Sequence, residues 1–378
     1  MKFLHLSDLH IGKRVNEFSM LEDQKYILDR MIEAADGQKI DAVIIAGDIY
    51  DKAVPSDEAI QLFDTFLTRL AERRLKVFAI SGNHDSAEKI AYASNILKSK
   101  DIYMAPVYDG EIKPVSVYDD YGKINIWLIP FLKPYNVRRY FEEENTDTYN
   151  NAFKTVVKSI IMDKSERNII VAHQFITGAE RSESEEISVG GLDNIDALVF
   201  EDFDYAALGH IHKAQSVCQD KIRYAGTPLK YSFSEVNHKK SITVFEIKEK
   251  GNIKIDEIPL TPSRDMREIK GTYSEITLRD NYKYTNTDDY MHIILTDEED
   301  VPEAVGKLRT IYPNIMKLDY DNKRTRTDNT VFESLDTAKK SPIELFEELY
   351  YIQNNSEMSE EQKVYSKQLI EKIWEAEK

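Results

Sequence analysis

The 378-residue chain has a single cysteine, Cys218, and so cannot close an intramolecular disulfide, an economy that suits the reducing cytoplasm. No apolar run approaches the roughly 18 residues needed to cross a membrane. The first residues carry no basic segment followed by an apolar one, so no secretory leader is expected and a cytoplasmic location follows. There is no GxxxxGK[ST] stretch, so any ATPase activity must come from a partner. Positive charge is also in deficit. Fifty Lys and Arg against 67 Asp and Glu leave a net −17, which argues against coating nucleic acid through bulk charge. A local anion site remains open, because two bound divalent ions would bring about +4 into one crevice.

What the chain does have is one event repeated five times. The apolar run Phe3–Leu6 ends in SDLHIG, residues 7–12, with Asp8 and His10. AVIIAG (42–47) ends at Asp48 within GDIYD; Val77–Ile80 leads into SGNHD with Asn83, His84 and Asp85. Ile169–Ala172 ends at His173, and Tyr205–Leu208 leads into GHIH with His210 and His212. Short apolar runs that stop abruptly at polar residues read as buried strands. An open α/β sheet gathers ligands at the carboxyl ends of its strands, so these five ends predict one shared crevice.

Asp8, His10, Asp48, Asn83, His173, His210 and His212 are then seven metal-ligand candidates. Carboxylate, amide and imidazole without cysteine suit a divalent ion such as manganese better than a structural zinc. Seven ligands are too many for one ion with open positions but fit two ions sharing a carboxylate. Two ions about 3.5–4 Å apart suit phosphate-ester hydrolysis, with a hydroxide between them as nucleophile. His84, beside Asn83, is the candidate for a non-ligand histidine that assists the leaving oxygen.

The length predicts two or three domains. Helices are expected near 20–36, with Met20, Ile27, Met31 and Ile32 inside, and near 57–73, capped by Ser56, with Ile60, Phe63, Phe66, Leu67 and Leu70 as an inner stripe. Another helix is expected at 87–98; any exposed part of the 57–73 stripe beside it would offer a homodimer contact. Ile124–Leu132 reads as a strand, 150–163 as a helix and the acidic ERSESEEISVGG (180–191) as a loop. IRYAGTPLKYSFSE (222–235) and SITVFEI (241–247) read as the last strands of the first domain. Beyond residue 265 the pattern predicts a small β-β-α-β unit, then a polar linker over 321–340. Two capping boxes follow, Ser341 to Glu344 and Ser359 to Gln362. They open two helices carrying Leu345, Phe346, Leu349, Tyr350 and Ile352, then Tyr365, Leu369, Ile370, Ile373 and Trp374. A hairpin this apolar and this short predicts a helix-in-groove partner.

His5, His238 and His292 fall outside the motifs and read as structural. Lys13, Arg14, Arg138, Arg139 and Lys230 are equally well phosphate contacts or a solvated charged face.

The ordered set D-x-H, GD, GNHD, a lone His and GHxH resembles the calcineurin-like metallophosphoesterase superfamily. GDIYD, VAHQF, AGTPLKYSFSE and SPIELFEELY are similar to its bacterial DNA-nuclease subunits, across nearly the whole chain. The resemblance implies an α/β fold, a metallophosphoesterase β-sandwich core flanked by helices, with a small α+β capping domain and a C-terminal helical hairpin. It divides the chain into a nuclease domain (1–264), a capping domain (265–320), a linker (321–340) and a partner-binding hairpin (341–378). It further implies Asp8, His10, Asp48 and His212 around one manganese ion, and Asp48, Asn83, His173 and His210 around the other. His84 would meet the scissile phosphate, while Asp51 has no assigned role. The implied activity is manganese-dependent DNA exonuclease and endonuclease action in repair, recombination and replication. The implied assembly is a homodimer within a heterotetramer, joined through residues 341–378 to the coiled coil of an ATPase. A phosphatase or small-molecule phosphodiesterase of the same superfamily is the alternative, and a catalytically silent scaffold a third reading; all seven candidate ligands being present argues against the last.

Overall fold

In the computed structural model the run after Met1 forms strand β1 (Lys2–Leu6), flanked by β2 (Ala42–Ala46) on one side and β11 (Ser241–Ile247) on the other. The structure describes residues 1–182, 185, 193–322, 325, 342–354 and 356–376. Two units are distinct, Met1–Asp265 and Met266–Lys378.

The first unit contains two six-stranded sheets. One continues from β2 through β3 (Lys76–Ile80) to β4 (Ile102–Met104), and beyond β11 to β12 (Ile253–Pro259). Strands β1 to β4 are parallel, while β11 and β12 run antiparallel to their neighbours. The second sheet comprises β5 (Val115–Asp119), β6 (Gly122–Leu128), β7 (Arg167–His173), β8 (Tyr205–Gly209), β9 (Gln215–Val217) and β10 (Gln219–Tyr224). Their order is β9-β10-β8-β7-β6-β5; the inner four are parallel and the two edges antiparallel.

The sheets pack face to face. Phe3, Ile44 and Phe78 from the first share a core with Ile126, Ile169, Val171 and Ala207 from the second. On the outer face of the second sheet, Trp127, Ile170 and Leu208 cluster with Phe153 and Val156 of a helix, Tyr149–Ser159. Strands covered on both faces read as unbroken apolar runs, and β7 is buried from Arg167 to His173.

The helix Leu21–Gln38 buries Ile27, Met31 and Ile32, and its chain turns out through Lys39 at φ +53°. Asp57–Glu72 is capped as expected, Ser56 Oγ accepting from the Ala59 amide at 3.3 Å. Ile60 departs from its assigned place, being 45% exposed. The expected 87–98 helix is broken into Ala87–Ile90 and Ser94–Leu97, because Ala93 enters the left-handed region at φ +58°. The strand placed at Ile124–Leu132 stops at Leu128. The segment after Tyr224 is not strand but loop, ending in a short turn of helix at Phe233–Glu235, and β12 follows β11.

In the second unit the expected β-β-α-β order is replaced. Met266–Gly271, Tyr290–Leu295 and Ile315–Tyr320 form a three-stranded parallel sheet, and helices intervene in both crossovers, at Tyr273–Thr277 and Ala304–Leu308. Parallel neighbours cannot be joined by a tight hairpin, which is why the first crossover needs its helix. His292 is structural, its ring held between Glu268 Oε2 and Asp319 Oδ2 at 2.8 Å each. The C-terminal hairpin comprises Pro342–Asn354 and Glu360–Ala376. Ser359 and Gln362 form the expected reciprocal cap, at 3.2 and 2.9 Å. Except for Asp321, Asn322 and Thr325, the segment assigned as linker lies outside the described residues, as do Ser341 and most of the 180–191 loop.

Candidate metal centre

All five strand ends converge. The loop after β1 runs beside the loop after β2, with the Asp8 amide on the Gly47 carbonyl at 3.0 Å, His10 on Asp48 at 3.0 Å and Ile11 on Ile49 at 2.9 Å. Asp8, His10 and Asp48 hold left-handed backbone, at φ +52°, +44° and +49°, and His210 sits at φ +104°. Such angles cost a non-glycine residue about 1 kcal/mol or more and persist only where surrounding bonds enforce them. Here they turn the chain sharply at each strand end, so that successive side chains enter one crevice.

Three groups of potential ligand atoms lie within 4.8 Å of one another: Asp8 with His10 and His212, His10 with Asp48 and His84, and Asp8 with Asp48 and His173. Asp48 is their shared centre. Its Oδ2 is 3.3 Å from His173 Nε2, 3.7 Å from His10 Nε2 and 4.0 Å from His84 Nε2. Asn83 Oδ1 lies 3.0 Å from both His173 Nε2 and His210 Nδ1. All seven predicted ligand candidates therefore line one site, with His84 beside them.

The electrostatics suit a cation. Burial opposes charge on Asp48, but His173 and the neighbouring imidazoles outweigh it and hold the carboxyl well below the usual range. Burial likewise disfavours charging His173, yet the Asp48 carboxylate lifts it to about 9. Burial alone dominates at Asp8, raised to about 6, and at His210, lowered to about 3. Both ring nitrogens of His10 are buried without a hydrogen-bond partner. A polar group so placed is costly, and a coordinated cation would satisfy it. The nitrogen and oxygen donors thus fit divalent ions.

Residues 1–214 match the family model described as calcineurin-like phosphoesterase. The chain belongs to the calcineurin-like phosphoesterase family. Residues 262–354 match a second model, described as the type 5 capsule protein repressor C-terminal domain. A full-length relative is the SbcD component of the nuclease SbcCD from Staphylococcus epidermidis, 31% identical over 384 residues, with 100% of each chain covered. Similar solved structures include a dimetal phosphatase from Danio rerio, at TM-score 0.41 and 11% identity over 70% of this chain and 99% of that one. Another is TT1561 of Thermus thermophilus, at TM-score 0.37 and 12% identity over 68% and 98%.

In this member of the phosphoesterase family several supporting residues carried no sequence signal. Asp85 fastens the Asn83 loop to the Asp48 loop, accepting from the amides of Gly82, Ile49 and Tyr50 at 2.9, 3.0 and 2.9 Å. Asp51 pairs with Lys13 Nζ at 2.8 Å and lies 3.8 Å from His10 Nδ1. Gln24 donates to the His10 carbonyl at 2.7 Å and Tyr231 to the Leu9 carbonyl at 2.6 Å. Glu235, fully buried, accepts from His212 Nδ1 at 3.1 Å.

Glycine is required where the loops touch. A Cβ at Gly209 would come 2.0 Å from the Ala46 carbonyl oxygen and 2.7 Å from His173 Nδ1. Gly209→Ala is expected to lower stability by about 1–3 kcal/mol. Denaturant unfolding of the metal-free protein checks this; an unchanged midpoint would contradict the close packing of the two sheets at this edge.

Proposed function

We propose that the chain is a manganese-dependent DNA nuclease, acting as exonuclease and endonuclease within an ATP-dependent SbcCD-type repair complex. The observation that carries this reading is the gathering of seven nitrogen and oxygen ligands around Asp48, in a chain 31% identical end to end with a nuclease subunit.

Asp8, His10, Asp48 and His212 would hold one ion, and Asp48, Asn83, His173 and His210 the other. Two such ions supply charge neutralisation of the phosphodiester and activation of the attacking water. The protein's own residues do the rest. Asp48 holds the two halves of the site together, and the carbonyl of Ala46 accepts from His173 Nδ1 at 2.8 Å, leaving Nε2 for coordination. His84, with 20% of its side chain exposed, stands where a substrate can reach it. Its Nδ1 is 3.1 Å from the Asp51 carbonyl, which directs Nε2 toward the crevice to protonate the leaving oxygen.

Domain roles belong to the same proposal. Residues 1–264 form the nuclease domain, 265–320 a cap over it, 321–340 the linker and 341–378 the docking hairpin. On the hairpin Phe346, Leu349, Val364, Tyr365 and Leu369 are exposed, an apolar surface suited to the coiled coil of an ATPase partner. Val54, Ile60, Tyr92 and Ile96, exposed around the second helix and the broken 87–98 segment, suit the homodimer contact of a heterotetramer. No helix among the described residues is long and apolar enough to cross a membrane; a cytoplasmic location accords with DNA as substrate.

Linear duplex DNA and a phosphomonoester, each incubated with the purified chain and manganese, test the reading. The expected result is DNA cleavage that a chelator abolishes and added manganese restores. Phosphomonoester turnover with intact DNA would overturn it in favour of a phosphatase.

A further inference from the structure

The three site histidines whose second nitrogen faces away from the Asn83 amide are supported unequally. His173 Nδ1 meets a backbone carbonyl, and neither nitrogen of His10 has a hydrogen-bond partner. His212 Nδ1 meets a carboxylate, Glu235 Oε1 at 3.1 Å. That carboxylate is completely buried and arrives from 23 residues along the chain. Its other oxygen, Oε2, is 2.5 Å from Lys240 Nζ. The same ammonium donates to the His212 carbonyl at 3.0 Å and to Thr227 Oγ1 at 2.6 Å. The Thr227 amide in turn donates to the His212 carbonyl at 3.1 Å.

Both the ring and the backbone of His212 are therefore held by one buried assembly. A buried ion pair contributes little net stability compared with apolar side chains of the same volume, so stability gives no strong reason for its presence here. A carboxylate on the outer nitrogen of a metal-binding imidazole has a specific effect: it fixes the tautomer, orients the ring and makes the inner nitrogen a stronger donor. Lys240 supplies the counter-charge that lets Glu235 do this as an anion away from water.

We propose that Glu235 is a positioning residue for one of the two ions, acting through His212, with Lys240 as its charge partner. The proposal rests on the two-metal reading above. The pair sets an unequal hold: the ion touching His212 depends on Glu235, while the ion between Asn83, His173 and His210 does not.

Calorimetric titration of the chelator-treated full chain with Mn2+ tests this. Wild type is expected to bind two ions. Glu235→Gln combined with Lys240→Met removes both charges without stranding either in the core. It is expected to weaken one ion about 10- to 100-fold and leave the other unchanged. Glu235→Ala with Lys240→Met, which also frees the ring, should weaken that same ion at least as far. Thermal melting of the same metal-free samples separates folding from binding. Wild-type affinity for both ions in the folded double variants would overturn the proposal. So would a parallel loss of both ions with lowered melting, which marks Glu235 as a structural staple only. Fewer than two ions in wild type would defeat the two-metal reading itself.

Discussion

Asp48→Asn is expected to abolish binding of both ions and to lower kcat/KM on DNA by about 10³-fold or more. On the proposed reading each ion contributes several kcal/mol of transition-state stabilisation, and each 1.36 kcal/mol is about a factor of ten in rate. The replacement keeps the size of the side chain and removes its charge. Asp48 is 2% exposed, and its Oδ2 sits within 4.0 Å of the imidazoles of His173, His10 and His84. The neutral amide leaves the site's donors too weak to collect a second cation against the first. Calorimetry with Mn2+, beside DNA cleavage at saturating manganese, checks both halves. Retention of one ion at wild-type affinity would show that Asp48 does not join the two sets.

The five strand ends were legible because central parallel strands are buried on both faces and so contrast sharply with the polar residues that end them. Ile44 and Val171 lie in the shared core, and Asp48 and His173 follow within a few residues. The seven ligand candidates could be named for that reason alone. What joins them could not. The left-handed angles at Asp8, His10, Asp48 and His210 are set by hydrogen bonds between loops distant in sequence, such as the His210 amide on Asp8 Oδ1 at 3.0 Å. No local preference announces them.

Other features lay within reach of pattern reading. Thr272 and Glu275 form a capping box, with Glu275 Oε2 accepting from the Thr272 amide at 2.8 Å, and it marks the helix that separates the first two strands of the second unit. IKIDEIP, which becomes β12, shows partial alternation of a strand open on one face. Ala93 is different: nothing in AYASN announces a helix break, and only the backbone angle accounts for it. Glu235 and Lys240 stand in the same position, since their role exists only once the chain has folded back beneath His212.

His84→Ala is expected to lower kcat on DNA by about 10²–10⁴-fold, with KM and manganese affinity nearly unchanged. The side chain's contacts explain the split. Its backbone amide donates to Asp48 Oδ1 at 2.9 Å, a bond that alanine keeps, so the loop bearing Asn83 has no reason to shift. The imidazole meets the Asp51 carbonyl at 3.1 Å through Nδ1 and lies 4.0 Å from Asp48 through Nε2, nearer the mouth of the site than the buried ligands. A group so placed matters when the leaving oxygen must take up a proton. DNA leaves as a sugar alkoxide, which needs that proton; bis(4-nitrophenyl) phosphate leaves as a stabilised phenolate, which does not. The variant should therefore lose far more on DNA than on the nitrophenyl ester. Equal losses on both would mean that His84 binds the phosphate or completes a metal site, and proton donation would have to be sought elsewhere.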